Sequence, residues 1–178
     1  MHKYLAILLL AMLTALAHGT AFAAEDSTYR LSAGDVISIS VFSEPDLSFE
    51  ELKLNDAGIF NYPFVGEVRS RGLTVAQLER LITERLAGDY LIDPKVSISV
   101  LQYREFYISG EVNKPGGYPY QPGLTLRRAV ALAGGMTERA STNRITLIRD
   151  SGDRKPERAN LDTIVMPGDT ITIDQGFF

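Results

Sequence analysis

Three groups of carboxylates lie close enough in the sequence to be weighed as acid–base pairs: Glu44 with Asp46, Glu50 with Glu51, and Asp150 with Asp153. Cleaving a glycosidic bond takes one carboxyl to protonate the leaving oxygen and a second about 5–9 Å away as nucleophile or base. All three groups fall in turns or on the polar face of an extended stretch, where solvated charge is the simpler reading, and no catalytic residue is assigned. The chain has no Cys, and its two histidines, His2 and His18, sit in a segment read below as a cleaved signal. That excludes thiol nucleophiles, disulfides, Cys/His zinc sites and His-based triads from the mature chain. No Asp-rich calcium loop and no phosphate-cradling Gly loop with Lys is present. No metal and no cofactor is therefore expected.

Aromatic residues offer a second kind of chemistry. Phe106, Tyr107, Tyr118 and Tyr120 fall together on a predicted hairpin. Aromatic faces suit sugar stacking, and cross-strand packing accounts for the same cluster. Packing is the favoured reading for the cluster as a whole. Tyr107, Tyr118 and Tyr120 are the candidate glycan contacts. Tyr107 is the best placed for exposure, because Phe106 and Ile108 take the opposite face. The residues after 23 hold 13 Arg against 4 Lys; Arg suits bidentate contact to carboxylates of neighbouring subunits or acidic sugars, and genomic base composition accounts equally for the same bias without function.

The elements that must position these residues follow from periodicity. Ile37, Ile39 and Val41 alternate with serines in a strand over 36–42. A weaker strand follows at 49–54, then an extended stretch over 59–68 that Pro63 keeps at an edge or in an irregular segment. The clearest helix is 74–87. Thr74 and Gln77 form a capping box, Val75, Leu78, Leu81, Ile82 and Leu86 make one apolar stripe, and Gly88 ends it. A half-buried strand covers 95–103. The second half repeats the grammar, with a strand at 106–112, a turn through Pro115 and Gly116, and a return starting at Tyr118. A short helix over 125–133 is stopped by Gly134 and Gly135, and strands follow at 144–149 and 170–174. Leu31 to Ile39 and Val165 to Ile173 echo each other, each a Gly-Asp turn (Gly34-Asp35, Gly168-Asp169) feeding an alternating strand. Gly supplies the unusual dihedral and Asp accepts turn amides, so both are read as structural; Gly110, at the end of a strand, joins this set of turn residues. The fold class is α+β: two small domains, each with a helix on a short sheet, joined near 101–104 without a Gly/Ser linker and so coupled.

Hydrophobic residues make up 45% and the net charge is −4, which argues for a folded chain without an electrostatic footprint for nucleic acid. The N-terminus runs from Lys3 through an apolar stretch over 5–17 to Ala21-Phe22-Ala23, the order of a secretory signal cut after residue 23. The apolar stretch is too short to span a bilayer unaided. Without Cys the mature protein is not lipidated.

The run Tyr29, Leu31, Gly34-Asp35, Ile37, Ile39, Val41, then Asp56, Gly58, Pro63, Gly66, Val68, Gly72, Thr74 and Asp93-Pro94 through Val100 resembles the polysaccharide export domain of bacterial outer-membrane export proteins. The segment from Phe106 to Gly116, with Leu124 to Gly135 and Pro167-Gly168-Asp169, resembles the soluble-ligand-binding β-grasp (SLBB) domain that accompanies it. The resemblance implies a signal peptide over 1–23, an export domain over 24–101 and a β-grasp-like SLBB domain over 104–178. It implies a non-enzymatic capsule or exopolysaccharide export component in the periplasm, associated with the outer membrane of a Gram-negative bacterium. It further implies a homo-oligomeric ring and an inner-membrane copolymerase as partner. The chain lacks the amphipathic C-terminal helix of long members, so a separate outer-membrane β-barrel is expected to carry the polymer out. The alternatives are a monomeric soluble glycan-binding or sensing module, a small outer-membrane barrel, which the helix at 74–87 argues against, and a carboxylate glycan hydrolase.

Overall fold

The computed structural model describes residues 29–150 and 154–176. The expected signal peptide, Asp153 and Phe178 lie outside them. Strand β1 (Val36–Val41) is the centre of a three-stranded antiparallel sheet, between β2 (Phe49–Lys53) and β5 (Val96–Gln102). Its alternation does what period two requires: Ile37, Ile39 and Val41 are buried while Ser40 faces solvent. Helix α1 (Val75–Leu86) packs on this sheet. Thr74 Oγ1 accepts the Gln77 amide at 3.2 Å, and Gln77 Oε1 accepts the Thr74 amide at 2.9 Å. The capping box therefore satisfies two donors that the first turn would otherwise leave open. Leu78, Ile82 and Leu86 are fully buried beneath the helix, each stabilising the fold by about 1.5–3 kcal/mol.

Two short strands, β3 (Ile59–Tyr62) and β4 (Gly66–Arg69), form a separate hairpin that closes this core with Phe60, Tyr62 and Val68. The sequence suggested one extended stretch here. Instead the chain reverses at Pro63 to Val65, with Phe64 in the left-handed region at φ 62° and Gly66 at φ 77°. A short 3₁₀ turn, Pro45–Leu47, follows β1, and the Tyr62 hydroxyl donates to the Leu47 carbonyl at 2.6 Å.

Only Tyr103 to Glu105 separate β5 from the second sheet. That sheet has the order β7-β6-β10-β8-β9, built from β6 (Phe106–Gly110), β7 (Gly116–Tyr118), β8 (Ala140–Ile148), β9 (Pro156–Ala159) and β10 (Thr170–Gln175). The central pair β6/β10 is parallel and the other pairs are antiparallel. Helix α2 (Leu126–Leu132), capped by Thr125, buries Leu126, Ala129 and Val130 in the same core as Phe106, Ile108, Ile145, Leu147, Ile171 and Ile173. The overall class is α+β.

Several boundaries differ from the sequence reading. The return strand begins at Gly116, which pairs with Ile108, so Gly116 belongs to β7 and not to the turn. Strand β6 stops at Gly110, where φ is 82° and an added Cβ would meet the Ile173 carbonyl oxygen. Strand β8 reaches back to Ala140, because its outer residues pair with β10. Strand β9 was not expected at all. Its Pro-Glu-Arg-Ala sequence has no apolar alternation, and Pro156 is tolerated because β9 is an edge.

Candidate functional site

The turn before β1 places Asp35, fully buried, at the seam of the two sheets. Its Oδ2 accepts the Ser32 amide at 2.8 Å and the Tyr29 hydroxyl at 2.5 Å, and its Oδ1 accepts the Arg104 amide at 3.0 Å. Arg104 Nη1 in turn donates to the Tyr29 hydroxyl at 2.6 Å and lies 3.5 Å from Asp35 Oδ2. The same guanidinium reaches across to the second sheet, where Nη2 pairs with Asp150 Oδ2 at 3.0 Å. Arg154 pairs with the other Asp150 oxygen at 3.1 Å. A chain of alternating charge thus runs Asp35, Arg104, Asp150, Arg154 and ties one core to the other. Burial raises the Tyr29 phenol far above its ordinary pKa, helped by its bond to Asp35, so it stays a neutral donor. Tyr103 extends the seam, edge-on to Tyr29 at 4.9 Å and to Tyr120 at 5.3 Å.

The echo turn is built alike. Gly168 has φ 84° against 88° at Gly34, and Asp169 Oδ2 accepts the Met166 amide at 2.8 Å. Asp169 is buried and paired with Arg149 Nη1 at 2.7 Å. Burial raises its pKa, a rise that the Met166 amide and Arg149 oppose. Each buried Asp of the repeated turn is therefore held by one Arg, and each Arg is shared with a second carboxylate, Asp150 or Glu157.

Beside this network lies an open cleft of about 290 Å³. Ser32, Ala33 and Arg71 line it from the first sheet's side, and Tyr107, Asp150, Arg154 and Gly168 from the second, with Arg104 and Glu105 between them. Tyr107 exposes half of its surface here. Tyr118 and Tyr120 are not brought to the same place. Tyr118 stacks on Phe106 at 6.0 Å and donates its hydroxyl to the Lys114 carbonyl, while Tyr120 packs on Tyr103. Of the described carboxylates among those weighed in the sequence, only Asp150 borders the cleft, and both its oxygens are engaged by Arg. Gly134 and Gly135, at φ 78° and 88°, end α2, and the Gly134 and Gly135 carbonyls accept from Asn113. No cluster of three potential metal ligands occurs among the described residues. The arrangement presents hydrogen-bonding and ion-pairing groups around an aromatic wall, which suits binding. Sequence reasoning missed Arg71, Arg104 and the bridging role of Asp35; the Gly-Asp echo was the one signal that pointed near them.

Residues 23–101 match the family described as polysaccharide biosynthesis/export protein, and residues 106–158 match the SLBB domain. The chain thus carries the segment of a polysaccharide biosynthesis/export protein followed by an SLBB domain. Among its relatives is the exopolysaccharide production protein ExoF of Rhizobium meliloti (strain 1021), 34% identical over 140 residues, covering 71% of this chain and 33% of that protein. The EPS I polysaccharide export outer membrane protein EpsA of Ralstonia solanacearum is 28% identical over 145 residues, 67% of this chain and 38% of its own length. The polysialic acid transport protein KpsD of Escherichia coli is 29% identical over 144 residues, 79% of this chain and 25% of its own. The chain thus spans a quarter to two-fifths of the length of these curated relatives.

Proposed function

We propose that this chain is a non-enzymatic component of a machine that exports capsule or exopolysaccharide through the periplasm to the outer membrane. The observation that carries the reading is the ordered pair of matched segments, export domain then SLBB domain, joined by a short charged seam. We read the domains as 24–101 and 104–178, following a cleaved signal over 1–23. The β-grasp reading of the second draws support from its strand order, with a parallel central pair and the helix in the connection between the two hairpins. Rigid coupling suits a part that must hold its place in an assembly: the seam fixes both cores with ion pairs that are largely shielded from water. The expected partners are further copies of the chain in a ring and an inner-membrane copolymerase. Exposed apolar residues, Phe64 and Tyr90 with their rings tilted together at 5.2 Å and the fully exposed Ile92 two residues on, support contact with other proteins.

The test is an in-frame deletion in the source bacterium, with extracellular and periplasmic polysaccharide measured separately. Loss of the extracellular polymer, restored by the chain supplied in trans, is the expected result. Unchanged secretion overturns the reading. Light scattering on the purified protein separates the ring from the monomeric sensing module.

A further inference from the structure

We propose that the cleft at the seam binds a saccharide unit that carries a carboxylate, an inference that rests on the export reading and gives it a substrate class. Two of the three arginines that line the cleft are already engaged by carboxylates. Arg104 is saturated by Tyr29, Asp35 and Asp150. Arg154 is paired with Asp150. Arg71 is different: its guanidinium makes one long bond, 3.4 Å to the Asp56 carbonyl, and no ion pair among the described residues. Its backbone is nonetheless held close against Gly58, where an added Cβ would lie 2.4 Å from the Arg71 Cβ and 3.1 Å from its main chain. A planar fork of donors on an anchored stem, open to a cleft, is the geometry that takes a carboxylate by two parallel hydrogen bonds.

The rest of the lining fits the remainder of a sugar. Tyr107 offers an exposed ring for the apolar face of a pyranose. Glu105, which forms no ion pair among the described residues, supplies an acceptor for hydroxyls beside that ring. Asp150 does the same while its charge is balanced by two Arg. Gly168 keeps the floor bare: a Cβ there would meet Arg104 Nε at 2.6 Å and Asp150 Cβ at 2.8 Å. At about 290 Å³ the cleft stands at the lower end of the roughly 300–1,000 Å³ of small-ligand sites, enough for one or two sugar rings. Its walls come from both sheets, so an occupant touches both domains at once.

The experiment is calorimetric titration of the purified protein with two probes of matched length, hexagalacturonate and maltohexaose. Hexagalacturonate is expected to bind with an affinity that falls as salt rises, and maltohexaose about tenfold or more weakly. Arg71→Gln should weaken hexagalacturonate about tenfold and leave maltohexaose unchanged, with the melting temperature held. Arg80→Gln, on the exposed face of α1, should change neither. Tyr107→Ala should weaken both probes. Equal affinity for the two probes, or equal effects of the Arg71 and Arg80 changes, overturns the proposal. If the deletion strain fails to export polymer while neither probe binds, this inference falls and the export reading stands. If the strain exports normally, the export reading itself falls.

Discussion

Replacing Arg104 by Met removes the guanidinium from the seam and keeps most of its apolar stem. What it leaves behind sets the magnitude. Asp35 is fully buried and would lose its only cationic partner among the described residues. Breaking a buried pair from one side costs about 3–5 kcal/mol, because a charge is left uncompensated. Three donors remain on Asp35, the Ser32 amide, the residue-104 amide and the Tyr29 hydroxyl, so the lower end applies and about 3 kcal/mol is expected. Asp150 is a weaker case. Its side chain is 27% exposed and water can replace the lost partner, so Asp150→Asn should cost about 0.5–1 kcal/mol. For a chain of this size, 3 kcal/mol lowers the melting temperature by roughly 6–12 °C. Urea unfolding by far-UV circular dichroism, with tyrosine emission as second probe because the chain has no Trp, gives both numbers. The Arg104→Met/Asp35→Asn double variant should lose less than the sum of the singles, by about 1–2 kcal/mol. An Arg104→Met loss below 1 kcal/mol, or one equal to that of Asp150→Asn, refutes the view that Asp35 and Arg104 form the structural clamp of the seam.

Two further substitutions probe the cores. Gly110→Ala should cost more than about 3 kcal/mol, since the new Cβ would strike the Ile173 carbonyl oxygen in the central strand, whereas Gly66→Ala, equally left-handed but with open space around it, should cost only about 1–2 kcal/mol; similar losses by thermal melts would contradict the packing of β6 on β10. Burial pushes the Tyr62 phenol up from its ordinary 10 to about 12, so the folded state favours the protonated form, and its contribution is complete below pH 10 and is lost as pH rises through about 12. Tyr62→Phe should therefore be less stable than the wild type by about 1 kcal/mol at pH 9, and the gap should narrow by pH 11.5; a gap of constant size in urea titrations at the two pH values would rule out Tyr62 as a contributor.

What was legible in the sequence was local. Helix α1 announced itself because its cap and its stripe are both written within thirteen residues, and burial of Leu78, Ile82 and Leu86 followed the stripe. The two Gly-Asp turns of the echo share the same 2.8 Å bond from the amide of residue i−3 to the Asp oxygen. What the echo could not supply was the cation. Arg104 lies 69 residues beyond Asp35 and Arg149 lies 20 residues before Asp169, and no spacing rule links them. The β3–β4 reversal was hidden for a different reason. Its left-handed position is held by Phe64, a residue that gives no turn signal, and Pro63 marked only an edge or an irregular segment, without a reversal. Strand β9 was hidden because an edge strand with both faces wet has no alternation to read. The cleft combines these difficulties. Tyr107 could be picked out from strand phase alone, yet its neighbours Arg71 and Arg154 come from turns in different halves of the chain, and their charges have meaning only once pairing is known. A binding site at a domain seam is made by topology from residues that are each unremarkable in sequence. For that reason the Arg71 guanidinium, beside the seam and without an ion pair among the described residues, says more about a ligand than any of the sequence-level carboxylate pairs did.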